Sequence, residues 1–274
     1  MTVVVLSEEE LKKLQRVCLE LVLEVDRICR KNNIEYSLGG GTLLGAIRHK
    51  GFIPWDDDAD IAMTRDQYEK FVIACRNDLN KNKYFLQDHT TDKYYPWGYS
   101  KLRMNNTKIV QIGQEKMKFH NGIFIDIFIY DHVPDGSFKR KMHYVECYFI
   151  RKCQYAVVGR HKGRNVFLKL WYSLLNLIPK KWLFLRLDKI AKKYNAKATN
   201  LSRHLTFPYF RKECKYGLPT TCFDKYIDWE FEGHSLRIVK EYDTILSLKY
   251  GNYMVPPNKS DITYYPISEI VFPK

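Results

Sequence analysis

Acidic residues are scarce in this chain, and the marks of secreted, membrane-spanning or repetitive proteins are missing. Against 45 Lys and Arg stand 31 Asp and Glu, a formal charge of +14. The seven cysteines, Cys18, Cys29, Cys75, Cys147, Cys153, Cys214 and Cys222, are odd in number and contain no C-x-x-C pair. No signal-peptide pattern opens the sequence, so reduced thiols and a cytoplasmic setting are expected. Cys147 and Cys153 with His143 are poorly spaced for zinc, and buried free thiols are the simpler reading. The longest apolar run, residues 166–178, is broken by Lys169 and closed by Pro179-Lys180-Lys181. It falls short of the roughly 20 residues that span a bilayer. Internal repeats and low-complexity tracts are absent.

What is present is enough for a core: 274 residues at 45% hydrophobic content support one large domain or two small ones. The positive charge is concentrated. Residues 139–193 hold fifteen Lys and Arg against Glu146 and Asp188, a net +13. Such a segment suits a polyanion, whether nucleic acid, an anionic membrane face or a phosphate-rich substrate, unless it is simply a solvated face.

Ser7 and Glu10 form a capping box ahead of Leu11, Leu14, Cys18, Leu21, Val22, Val25 and Ile28, which predicts an amphipathic helix to about Lys31. A short strand over 34–38 then runs through Gly39-Gly40-Gly41 into a helix starting near Thr42. Residues 58–63 read as another strand, and Thr64 with Gln67 as the cap of a helix to about Asn77. Strands follow at 83–87, 99–103, 108–111 and 122–130, all expected to extend one sheet. Residues 138–194 predict two or three basic, aromatic helices, and residues 234–249 a later one. The fold class is α/β (α+β): a mixed sheet flanked by helices with a basic helical insert. The divisions are a catalytic core at 1–137, the insert at 138–204 and a completing part at 205–274.

Glycines that open a helix offer backbone N–H groups and the positive end of its dipole to an anion. Four aspartates follow within twenty residues. Strand alternation puts Asp56, Asp58 and Asp60 on one face and Asp57 on the other. Like charges so close call for a cation, and hard oxygen ligands favour Mg²⁺ or Mn²⁺; the plain alternative is an acidic surface loop. Asp126 is the lone charge in the apolar run 122–130, a costly position unless a metal or cation meets it; it also qualifies as a general base. Arg48, His49 and Lys50 follow the glycine turn, and Lys101 and Arg103 alternate along a strand as phosphate partners or solvated cations. Tyr94, Tyr95, Trp97 and Tyr99 form a candidate cage for a quaternary ammonium, with ordinary packing as the alternative.

The run from Gly40 to Ile61, GGTLLGAIRHKGFIPWDDDADI, closely resembles the signature of the LicD family. Further resemblances are Lys101-Leu102-Arg103 with Thr107, the segment around Asp126, the turn Phe231-Glu232-Gly233, and Tyr250 to Met254 followed by Pro256-Pro257. Together they cover residues 8–134 and 205–262. Members of this family are similar to phosphocholine transferases that use CDP-choline to modify surface polysaccharides; animal relatives include fukutin and fukutin-related protein. The resemblance implies a nucleotidyltransferase-like fold, a phosphate turn at Gly40-Gly41-Thr42, metal ligands at Asp58 and Asp60, and supporting carboxylates at Asp56 and Asp126. This chain departs from the pattern at Ala59, Met104 and Asn252, and lacks a histidine over 258–263, which bears on substrate choice.

These readings converge on an Mg²⁺-dependent transfer of phosphocholine from CDP-choline to a glycan or lipid-linked glycan, with Gly40–Thr42, Arg48, Lys101 and Arg103 steadying the phosphates. Variants with CDP-ethanolamine, a CMP-phosphonate or CDP-ribitol, or a true nucleotidyltransferase, stay open. The competing class is an RNA- or membrane-binding protein with a vestigial site. Nucleic acid is disfavoured because the acidic cluster would repel it. The segment 139–193 suits an anionic membrane at the inner face of the cell, giving a peripheral location.

Overall fold

Ten residues, Phe124–Val133, form the strand on which the rest of the main sheet is assembled. The computed structural model describes residues 3–162, 165–209, 211–258 and 266–273. Chain order is α1 (Glu8–Lys31), β1 (Ser37–Leu38), α2 (Gly40–His49), β2 (Asp60–Thr64), α3 (Arg65–Asp78), β3 (Tyr84–Gln87), β4 (Ser100–Met104), β5 (Lys108–Gln111) and β6 (Phe124–Val133). Helices α4 (Ser137–Lys162), α5 (Val166–Leu175) and α6 (Lys180–Asn195) follow. The chain then makes β7 (Leu201–His204), β8 (Leu218–Pro219), β9 (Tyr226–Phe231), β10 (His234–Val239), α7 (Tyr242–Tyr250) and β11 (Ile267–Val271).

The main sheet runs β1-β2-β6-β4-β3, with β7 on β6 and β8 on β7. Only β2 and β6 are parallel; every other pairing in it is antiparallel. β6 is long enough to take β4 along its first half and β7 along its second on the same edge. That double duty explains its nearly unbroken apolar sequence, since a strand covered on both edges and both faces has no solvent side to make polar. Helix α1 packs its buried stripe of Leu14, Cys18, Leu21, Val22, Val25 and Ile28 into this core. Its capping box forms as expected: Ser7 N donates to Glu10 Oε2 at 2.8 Å and Glu10 N to Ser7 Oγ at 3.2 Å.

Four expectations change. β5 leaves the main sheet and pairs with β11, a partner from the far end of the chain that no local pattern announces. The helix expected over 234–249 is a hairpin strand followed by the shorter α7. Glu232 and Gly233 have φ of 50° and 75°, the two positive values that a two-residue hairpin turn requires. After it Leu236 and Ile238 point into the core at strand spacing. The Thr64–Gln67 cap does not close: the Thr64 hydroxyl bonds the Asp66 carboxylate, and Gln67 Oε1 accepts from Glu35 N at 2.9 Å. Finally, the helical insert ends at Asn195, and β7 inside 138–204 belongs to the main sheet.

The three insert helices are apolar where they meet, in two small clusters around Cys147, Ile150 and Ile190 and around Cys153, Ala156 and Leu183. All seven cysteines are free and buried. The β9–β10 turn reaches back to the segment after α2: Glu232 N donates to Lys50 O at 2.8 Å, and Phe52 N to Glu232 Oε1 at 2.9 Å. No helix among the described residues is long and apolar enough to cross a membrane.

Candidate active site

Three adjacent strands carry one charged residue each in register. Asp60 on β2 pairs with Asp126 on β6, and Asp126 with Lys101 on β4. Register partners share a face, so the three side chains form a row across the sheet. Lys101 Nζ donates to Asp126 Oδ1, and its charge also lies over the Phe124 ring, 3.3 Å from the centroid. Asp126 therefore has its cation within the protein, and Asp60 lies beside it with no ion-pair partner among the described residues.

The loop before β2 adds more carboxylates. Asp56, Asp57 and Asp58 each bring an oxygen to within 4.8 Å of the others. Strand alternation does not apply there because β2 begins only at Asp60, so Asp57 joins the group that the sequence reading set it apart from. Gln15 on α1 steadies this loop, its side-chain amide donating to the Asp56 carbonyl at 2.9 Å. Burial first, then mutual repulsion, raises these groups: Asp56 and Asp60 are each pushed up to about 7, Asp58 well above the usual carboxylate range, and Asp57 upward by burial. Burial pulls Lys101 down to about 8, against the attraction of Asp126.

The glycine turn meets this cluster directly. A Cβ at Gly40, whose φ is 47°, would collide with Asp60 Oδ2, and one at Gly41 would lie 2.9 Å from Asp56 Oδ2. Glycine at both places lets the positive end of α2 approach the carboxylates. Thr42 ties the two elements together, its Oγ1 accepting from Asp60 N at 2.8 Å.

A cleft of about 410 Å³ opens over the row. Its floor is Asp58, Asp60, Asp126 and Lys101, and its aromatic wall is Trp97, Tyr99, Phe128, Tyr155 and Phe207. Helix α4 supplies a second wall through Arg151, Gln154, Tyr155, Val158 and Lys162.

Several expected site residues stand elsewhere. Arg103 is buried, donating to Gln87 Oε1 at 2.5 Å and to the Gly122 carbonyl at 2.6 Å; it does not line the cleft. Arg48 is roughly 12 Å along α2 from Gly40 at the helical rise, and donates to the Tyr253 carbonyl at 2.9 Å. The aromatic quartet divides: Trp97 and Tyr99 face the cleft, Tyr94 is exposed, and Tyr95 is buried edge-on to Tyr99 and Phe119. The segment lacking a histidine lies, beyond Asn258, outside the described residues.

Sequence reasoning missed two contributions. Lys249 on α7 donates to Tyr130 OH at 3.4 Å, and its charge opposes the rise of the Asp60 carboxyl. The α4 wall was legible in principle: residues 151, 155, 158 and 162 recur at helical spacing, although spacing does not say what the face looks at.

The fold and site thus define an α/β protein with a half-buried carboxylate cluster at the dipole end of a glycine-opened helix, under a cleft of mixed charge and aromatic character. The family described as LicD/FKTN/FKRP, nucleotidyltransferase domain, matches residues 33–152. The lipopolysaccharide cholinephosphotransferase LicD of Haemophilus influenzae is 30% identical over 281 aligned positions, covering 94% of this chain and 97% of its own. An uncharacterised protein of Rickettsia prowazekii is 30% identical over 141 residues, 49% of each chain. One of Rickettsia typhi is 47% identical over 47 residues, 17% of this chain and 15% of its own. The chain belongs to the LicD family and is one of its enzymes.

Proposed function

We propose that this enzyme transfers phosphocholine from CDP-choline to a sugar hydroxyl of a surface glycan or its lipid-linked precursor, at the cytoplasmic face of the membrane, releasing CMP. The supporting observation is the Asp60–Asp126–Lys101 row on the floor of an aromatic-walled cleft. The name and full-length similarity of the Haemophilus influenzae relative agree with it.

The residues fit a divalent cation. Asp56 Oδ2 is buried with no hydrogen-bond partner among the described residues, and burial followed by repulsion between the carboxylates holds Asp58 and Asp60 above their usual range. Asp56, Asp58 and Asp60, with Asp126, would hold Mg²⁺ or Mn²⁺. Bound there, the ion would neutralise the diphosphate as charge builds on the departing nucleotide. The first turn of α2 adds its dipole for the donor phosphates, and Lys101 lies beside them as a second positive group. Trp97 and Tyr99, with Phe128 and Tyr155, present ring faces and edges suited to a quaternary ammonium. Asp126, oriented by Lys101, completes the metal set or takes the proton of the attacking hydroxyl. The acceptor oxygen bonds to the distal phosphorus, the pyrophosphate link breaks, and CMP leaves with the bonding electrons.

The test is thermal unfolding of the purified protein with Mg²⁺ and CDP-choline, CDP-ethanolamine or CTP, with and without EDTA, followed by chromatography for CMP. A stabilisation specific to CDP-choline and abolished by EDTA is expected. Stabilisation by CDP-ethanolamine alone would change the donor, and silence toward all three would overturn the reading.

A further inference from the structure

Helix α5 has its apolar residues on the wrong side for a folded monomer. Phe167, Leu170, Trp171 and Leu174 follow one another at i, i+3, i+4 and i+7, the stripe an amphipathic helix normally buries. Here they are 83%, 58%, 52% and 54% exposed, and Leu175 is the one buried residue of the helix. The side next to the stripe is the one that packs: Leu175 is buried and the Tyr172 ring fills the space over Gly159 of α4. The stripe continues onto Leu177, Trp182 and Leu185, all more than half exposed.

The sequence that carries this stripe is strongly basic. From residue 147 to 187 the sequence contains no Asp or Glu, while Lys169, Lys180 and Lys181 flank the apolar positions. An apolar ridge with two tryptophans in a segment rich in lysine, its nearest acid in sequence being Asp188 one turn beyond Leu185 and paired with Lys192, is complementary to a surface with an oily interior and negative headgroups. A protein partner would need acidic groups all round its rim; an anionic bilayer supplies them everywhere.

We propose that α5, with the start of α6, is an interfacial anchor that lays the enzyme on an anionic lipid surface. The placement relative to the cleft gives this a purpose. Helix α4 turns Arg151, Tyr155 and Lys162 toward the cleft and Gly159 toward α5. Tyr155 of the cleft wall also meets Tyr172 of α5, ring centroids 5.6 Å apart, so the cleft lies beside the anchoring helix. Docking stands on the exposed stripe and its charge; delivery of a lipid-linked acceptor along that surface rests on the transferase reading above.

Co-sedimentation of the full chain with vesicles of phosphatidylcholine alone, or of phosphatidylcholine mixed with phosphatidylglycerol, tests the anchor. The parent should bind the anionic vesicles at least tenfold better. The variant Phe167→Ser/Trp171→Ser/Leu174→Ser should lose at least tenfold of that binding while unfolding at the parent's temperature. Equal binding by parent and variant would overturn the proposal. So would light scattering that finds a parent dimer, split by the variant, with no vesicle binding by either. CMP release to a water-soluble acceptor, measured in parallel, keeps the two readings apart: turnover retained in a variant that no longer binds vesicles supports both, and vesicle binding by a parent without turnover leaves docking intact while removing the transferase.

Discussion

The sheet and the helical insert depart from ordinary protein anatomy in opposite directions. The sheet buries charge: Asp126, Lys101, Arg103 and the Arg65–Asp131 pair all lie inside or nearly so, while its apolar residues are where they should be. The insert exposes oil: α5 presents Phe167 and Trp171 outward among lysines. Each arrangement is costly in isolation, because unpaired charge is unstable inside and a broad apolar stripe is unstable in water. On the proposals above, a cation would complete the one region and a lipid surface the other, and α4, which lines the cleft and packs against α5, touches both.

The sharpest way to break the comparison is to remove the sheet's charge. Asp58→Asn or Asp60→Asn should lower turnover by roughly three orders of magnitude, about 4 kcal/mol of barrier, without lowering the unfolding temperature, since each removes repulsion. Near-normal CMP release by both variants would sink the metal assignment. Lys101→Met comes next. It leaves Asp126 buried beside Asp60 without its cation, and urea unfolding should show a loss of about 3 kcal/mol. Adding Asp126→Leu should return most of that stability and none of the activity.

Acid reaches both regions at once through two buried histidines. Burial, reinforced by nearby Arg203, holds His143 of α4 down at about 4 and His204 of β7 down at about 3. As pH falls below about 6.5 the unfolded chain takes up these protons before the folded one does. The histidines' contribution to stability is therefore complete above that value and drains toward pH 4, by roughly 2–3 kcal/mol for the pair at pH 5.5, while the Asp56 and Asp60 carboxyls, raised to about 7, act in the opposite sense as they take up protons. His143→Gln should flatten about half of that slope in denaturant titrations across pH. The smallest effect is expected on the insert's outer face: the Phe167, Trp171 and Leu174 serine variant should stay within about 0.5 kcal/mol of the parent in urea, because the side chains it removes are already in water.

Local features were readable from the sequence because they are carried by neighbouring residues. The capping box of α1, the glycine turn into α2 and the three insert helices all depend on side chains within a few positions of one another. Depth was not readable. Lys101 and Arg103 sit two apart on one face of one strand, yet Lys101 reaches the cleft and Arg103 is sealed by Gln87 and Gly122. Only the neighbouring strands decide that. Long-range partners were equally hidden: β11 closes on β5, and Lys249 arrives beside Asp60 from the last helix. The residues at 234–239 misled because Leu236 and Ile238 satisfy a helical as well as a strand spacing once Val239, Ile245 and Leu246 are included; Gly233 was the better signal.

The clasp between Glu232 and the segment after α2 has a consequence in time. Phe52 and Glu232 are 180 residues apart, so a ribosome that has finished the carboxylate loop must work on for roughly 10–35 s at ordinary synthesis rates before the residue that buttresses that loop exists. The nascent chain carries every aspartate of the site early, with Gln15, Thr42 and Lys101 already there to meet them, and the clasp from Glu232 onto Phe52 is the last tie to form.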